Sequence, residues 1–158
     1  MSKRDQFKTA LLFGEGRHEY NFCNFLLGTN KFSVLQKSWS IDTEHASGCS
    51  AEDILNACID VMSGKPFDVT LCFIDVDDLK NDFTDSFEAK RDELNVKAKE
   101  NGIDIVWQEE NLEEVLFVAT NGKIKTKGVS KTKLKKYEDQ ILRSDHVKYI
   151  FHRLFSLE

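Results

Sequence analysis

Residues 69 to 74, Val-Thr-Leu-Cys-Phe-Ile, form an uncharged, largely apolar run that gives way at once to Asp75-Val76-Asp77-Asp78. An unbroken run of this kind suits a strand covered on both faces, as in a parallel sheet. Acids crowded at the carboxyl end of such a strand repel one another unless something positive neutralises them. The design occurs twice. Thr9-Ala10-Leu11-Leu12-Phe13-Gly14-Glu15-Gly16 is an apolar run that ends in a glycine-flanked glutamate.

Between and after these two runs the pattern alternates. The spacing of Tyr20, Cys23, Leu26 and Leu27 predicts a helix over 17–27, and a second strand is expected over 32–41. Ser50 has the character of an N-cap, with Asp53 three residues on, and opens a helix over 51–62 whose apolar stripe is Ile54, Leu55, Cys58, Ile59 and Met62. After the central strand at 69–74 come a charged helix over 82–101, closed by Asn101-Gly102, and a fourth strand over 103–107. A short apolar helix over 112–119 and two terminal helices over 131–142 and 145–155 complete the pattern. Strand and helix in alternation imply an α/β fold: a Rossmann-like, mainly parallel four-stranded sheet flanked by helices, with C-terminal helices.

In a sheet of this class ligands bind beyond the carboxyl ends of the strands, at the switch point where strand order reverses, commonly between the first and third strands. Those strands carry Glu15 and Asp75-Val76-Asp77. In an extended chain alternate residues share a face, so Asp75 and Asp77 are expected to turn to one cation. Carboxylate oxygens with positions left open favour Mg2+, or Mn2+, over zinc. No Cys or His lies close enough in sequence to suggest a softer metal.

Composition supports one domain with a real core. The chain has 158 residues, 41% hydrophobic, with twelve Phe and a single proline, Pro66. Residues 1–122 read as the α/β core, and 123–158 as a lysine-rich segment with a helical extension of the same domain. The net charge of −5 conceals segregation: five Asp fall between Asp75 and Asp85, and seven Lys with no acid between Lys123 and Lys136. An acidic pocket beside a basic strip can hold metal ions and a polyanion together. Lys123, Lys125, Lys127, Lys131 and Lys133, with Arg17 near the first acid, are the nucleic-acid contacts such a strip would supply; a solvated loop and helix face explains the lysines as well. Cys23, Cys49, Cys58 and Cys72 have no CxxC spacing and read as buried free thiols of a cytoplasmic protein. No signal h-region or membrane span is expected.

Leu11-Leu12-Phe13-Gly14-Glu15-Gly16 and Phe73-Ile74-Asp75-Val76-Asp77 together resemble the Toprim pattern: a hydrophobic strand, a Glu and a Gly, then a strand ending in Asp-x-Asp. Gly48 falls where that family often has a glycine. The opening Glu15-Gly16-Arg17-His18-Glu19-Tyr20-Asn21-Phe22, the segment Trp107 to Phe117 and the lysines before Tyr137 resemble the small RloB-like and OLD-type Toprim proteins of phage-defence loci. The resemblance spans roughly residues 9 to 140. It implies metal-dependent phosphodiester chemistry, a nuclease acting on DNA or RNA, with Glu15 as general acid or base or metal ligand, and with Asp75, Asp77, Asp78 and Glu113 as further candidate metal ligands. It also leaves room for a separately encoded ATPase partner, since no ATP-binding motif is present.

Leu79 departs from that pattern, standing where many Toprim enzymes have a third acid. The departure keeps open a module that binds nucleic acid or a partner without cutting it. Strand-then-Asp-x-Asp also suits an Asp-based phosphatase or phosphoacceptor, although a receiver domain would need a lysine ending a later strand and the comparable strand ends Val106-Trp107-Gln108. Glu19 is equally a second pocket acid or a solvated helix acid. His18 could meet phosphate, and His45, His146 and His152 read as surface or partly buried side chains.

Overall fold

The computed structural model describes residues 8–29, 32–33, 39–46, 50–76, 79, 86–108, 112–124 and 131–155. Four strands, β1 (Lys8–Gly14), β2 (Trp39–His45), β3 (Val69–Asp75) and β4 (Asp104–Gln108), form one sheet in the order β2-β1-β3-β4. Every pairing is parallel, so the sheet is wholly rather than mainly parallel. The helices are α1 (Arg17–Leu27), α2 (Ala51–Gly64), α3 (Phe87–Glu100), α4 (Leu112–Ala119), α5 (Lys131–Lys136), α6 (Glu138–Leu142) and α7 (Asp145–Phe155). The molecule is an α/β, Rossmann-like fold.

Alternate residues of each central strand feed two separate cores. Ala10, Leu12, Val69, Leu71 and Phe73 pack with Phe22 and Leu26 of α1 and with Leu134, Ile141, Val147 and Ile150 of the C-terminal helices. Leu11, Phe13, Cys72 and Ile74 pack on the other side with Ile54, Leu55 and Cys58 of α2 and Leu94 and Ala98 of α3. β1 and β3 are therefore apolar on both faces, which is why neither shows a polar alternation. Each fully buried Leu, Ile or Phe contributes about 1.5–3 kcal/mol, so these two strands hold the halves of the molecule together. The first crossover steps from β1 to β2 in one direction and the later ones step in the other. α1 thus lies on one face and α2 and α3 on the opposite face, as right-handed crossovers require.

At the amino edge β1 and β3 are clasped. Thr9 N–H donates to Asp68 Oδ2 at 2.8 Å, and Asp68 N–H donates to Thr9 O at 3.0 Å. Ser50 caps α2 as its sequence implies, its Oγ accepting from Asp53 N–H at 3.2 Å. Gly102, at φ +73°, reverses the chain after α3, a left-handed conformation that glycine adopts without strain.

Two elements differ from expectation. The second strand, expected over 32–41, runs Trp39–His45, whereas Phe32 and Ser33 are helical, with Ser33 N–H donating to Thr29 O at 2.9 Å. Phe32 is fully buried, but it reaches the core from a helical turn. The helix expected over 131–142 breaks at Tyr137 into α5 and α6. Leu134, Tyr137 and Ile141 keep their inward spacing across the break, so periodicity alone does not reveal it.

Candidate functional site at the carboxyl edge of the sheet

The carboxyl ends of β1 and β3 lie side by side at the centre of the sheet, with Phe13 facing Cys72. This is the switch point: the chain leaves β1 toward α1 on one face, and the connection after β3 leads to α3 on the other. Glu15 follows the last residue of β1 and Asp75 is the last residue of β3. Both are half-buried, and Asp75 Oδ1 is shielded from solvent. Neighbouring strands are about 4.8 Å apart, so the backbones that carry the two carboxylates end on adjacent strands at the same edge.

Gly14 and Gly16 have different reasons to be glycine. A Cβ on Gly14 would stand 2.6 Å from Glu19 Cβ and 3.3 Å from Tyr20 N, so α1 sits directly on the end of β1. Gly16 is the N-cap of α1, and Glu19 Oε1 accepts from its N–H at 3.2 Å. Glu19 is 8% exposed, so it is not a solvated helix acid; its carboxylate closes the first turn of α1. Arg17 and His18 are exposed at the same helix start.

β3 ends at Asp75, and Val76 is helical. Asp77 and Asp78 lie outside the described residues. So does the side chain of Glu113 on α4. Among the described residues no three His, Cys, Asp or Glu side chains converge on a point that would hold a metal. Leu79, at the position where a third acid was sought, is fully buried in the α2–α3 core.

Two further residues stand at this edge that the sequence did not single out. Gln108, the last residue of β4, faces Asp75 across the ladder and is 4% exposed. Facing residues of parallel strands share a face, so Gln108 and Asp75 both lie on the α1 side. His45 ends β2 opposite Gly14, also on the α1 side. The only sequence signals for the pair are the alternation Trp39, Ile41, Thr43, His45 and a strand one residue longer than its apolar run.

Of the lysine strip, Lys123 and Lys133 are exposed. Lys125, Lys127 and the Lys131 side chain lie outside the described residues. Leu134 anchors α5 in the core beside α1, leaving Lys135 and Lys136 outward, with Lys136 Nζ 5.6 Å from the Tyr137 ring centre. Lys135, Lys136 and Arg143, together with the acids Glu138 and Asp139, line a cavity of about 490 Å³ at the bend between α5 and α6. Cys23, Cys58 and Cys72 are buried free thiols; Cys49 lies outside the described residues, as does the side chain of His146. No helix among the described residues is long and apolar enough to cross a membrane.

No protein-family model, curated protein or solved structure matches the chain.

Proposed function

We propose that the carboxyl edge is the site of Toprim-type, magnesium-dependent phosphodiester chemistry on DNA or RNA, in a protein allied to the RloB-like group of phage-defence loci. The observation that carries this reading is the emergence of Glu15 and Asp75 from adjacent parallel strands at the switch point. Magnesium is commonly held by one or two carboxylates together with substrate phosphates and water rather than by a full protein cage. Two carboxylates at one edge fit that habit, and manganese takes the same oxygen donors. Asp75 and Glu15 would hold the ion, joined by Asp77 or Asp78. A bound ion of this kind polarises the phosphoryl oxygens and orients water. Glu15, half-buried beside the N-terminus of α1, would serve as the general base where it does not ligate the ion. The exposed cations Arg17, Lys133, Lys135 and Lys136 supply the charge a cytoplasmic nucleic-acid partner would meet. A separately encoded ATPase would complete the assembly.

The burial of Leu79 favours a second reading, a module that holds nucleic acid without cutting it. The phosphoacceptor reading needs a lysine at the end of β4, and Gln108 stands there instead.

The deciding experiment incubates the protein with labelled single- and double-stranded DNA and RNA in Mg2+, Mn2+ or EDTA, beside Glu15→Ala and Asp75→Ala. The nuclease reading expects metal-dependent cleavage that falls at least about a hundredfold in each variant. Cleavage that survives both substitutions, or metal-independent retention of nucleic acid with no cleavage, defeats it.

A further inference from the structure

His45 is held in place with one nitrogen committed and the other unused. Its Nδ1 lies 2.6 Å from Ala46 O, and its ring meets Tyr20 edge-on with centroids 5.0 Å apart. Ala46 N–H donates in turn to Gly14 O at 3.0 Å, which ties the end of β2 to the strand that delivers Glu15. A backbone carbonyl accepts only from a protonated nitrogen, so Nδ1 carries hydrogen and Nε2 is the nitrogen left to act. Nε2 has no hydrogen-bond partner among the described residues, and the side chain is half-buried rather than solvated.

The imidazole does not join Glu15 and Asp75 around a metal, because no such trio converges among the described residues. β2 and β3 flank β1, about 9–10 Å apart, so His45 stands two strand spacings from Asp75. We propose that His45 is a substrate-binding residue that, with both ring nitrogens protonated, donates from Nε2–H to a phosphodiester oxygen at the carboxyl edge beside the end of β2. This rests on the reading that the carboxyl edge receives a phosphodiester, and it adds a contact that metal ligation does not provide.

The test uses the full chain labelled with 15N-histidine, first in EDTA, with thymidylyl-thymidine and uridylyl-uridine as probes. The His45 Nε2 resonance is expected to shift on addition of at least one probe, while Nδ1 stays protonated. Steady-state cleavage in Mg2+ then compares three variants. His45→Gln places an amide nitrogen near the Nε2 position and is expected to keep KM within about threefold. His45→Asn reaches only as far as Nδ1, and like His45→Ala it is expected to raise KM about tenfold or more with little change in kcat, the effect of losing a hydrogen bond to a charged group. A silent Nε2 resonance overturns the proposal. So does rescue by Asn rather than Gln, which would assign His45 a structural role through Ala46. Should the resonance shift in a protein that cleaves nothing, the contact stands and the nuclease reading falls.

Discussion

Glu19 occupies the space that a side chain on Gly14 would need: a Cβ built on Gly14 falls 2.6 Å from Glu19 Cβ, closer than real Cβ atoms approach. The next nearest atom is the backbone nitrogen of Tyr20 at 3.3 Å, which cannot swing away as a side-chain tip can. Gly14→Ala therefore forces the first turn of α1 off β1. The expected loss is about 1–3 kcal/mol, in the range of overpacked cores, measured by urea denaturation. An unchanged midpoint would mean that α1 is seated less firmly than this contact requires.

Leu79 raises a different question, since an acid there would complete the Toprim pattern. The side chain is fully buried among apolar neighbours, where an unpaired carboxylate is costly. Leu79→Asp is expected to cost at least about 3–5 kcal/mol, and Leu79→Ala about 2–5 kcal/mol from the cavity it leaves. Thermal melts followed by circular dichroism decide the matter. A folded Leu79→Asp protein that binds metal more tightly would show that this position opens to the site after all.

Thr70 is 1% exposed and its Oγ1 has no hydrogen-bond partner among the described residues. A buried hydroxyl without a partner forfeits its hydration for nothing. Thr70→Val keeps the β-branched shape and removes that cost, so the variant is expected to gain about 1 kcal/mol. The corresponding rise in Tm is a few degrees; a lower Tm would show that the hydroxyl is satisfied in solution.

Two thiols tie stability to alkaline pH. Burial, and next the carboxylate of Glu19, push the Cys23 thiol well above its ordinary value of 9.0. Cys72 is raised by its hydrogen bond with Cys58 and then by burial. Below pH 9.0 both states keep these protons and the thiols contribute no slope. Above it the unfolded chain releases them while the native state holds them, so the unfolded state binds fewer protons and stability falls as pH rises. Each thiol steepens that fall by up to about 1.4 kcal/mol per pH unit. Urea denaturation between pH 8 and 10.5 under reducing conditions is expected to show a shallower decline for Cys23→Ala than for the parent chain; equal slopes would place the Cys23 titration in the ordinary range.

Much of this architecture is legible in the residues, and the misses have physical causes. β1, β3 and α1 declare themselves because long apolar runs and helical spacing agree with their surroundings, and Ser50 caps α2 through a local bond that short-range sequence can foretell. β2 is displaced because Phe32 is buried as a strand residue would be, while the real strand ends in Thr43 and His45, whose polarity disguises it. Glu15 and Asp75 are visible as acids after apolar runs, and their placement on neighbouring strands follows from topology. The role of Glu19 was hidden because capping depends on where the N-cap falls. His45 and Gln108 gain their interest from what they face across the sheet, a relation that no single stretch of chain contains.

The clasp between Thr9 and Asp68 fastens β1 to β3 at the end of the sheet away from the acids. Like the bound spine of a book, it fixes the alignment of the two strands where they enter and leaves their far ends to be rewritten. Substitutions in the turns after Gly14 and Asp75 can therefore alter what the edge grips without sliding one strand past the other, so this scaffold is suited to acquiring new specificities there.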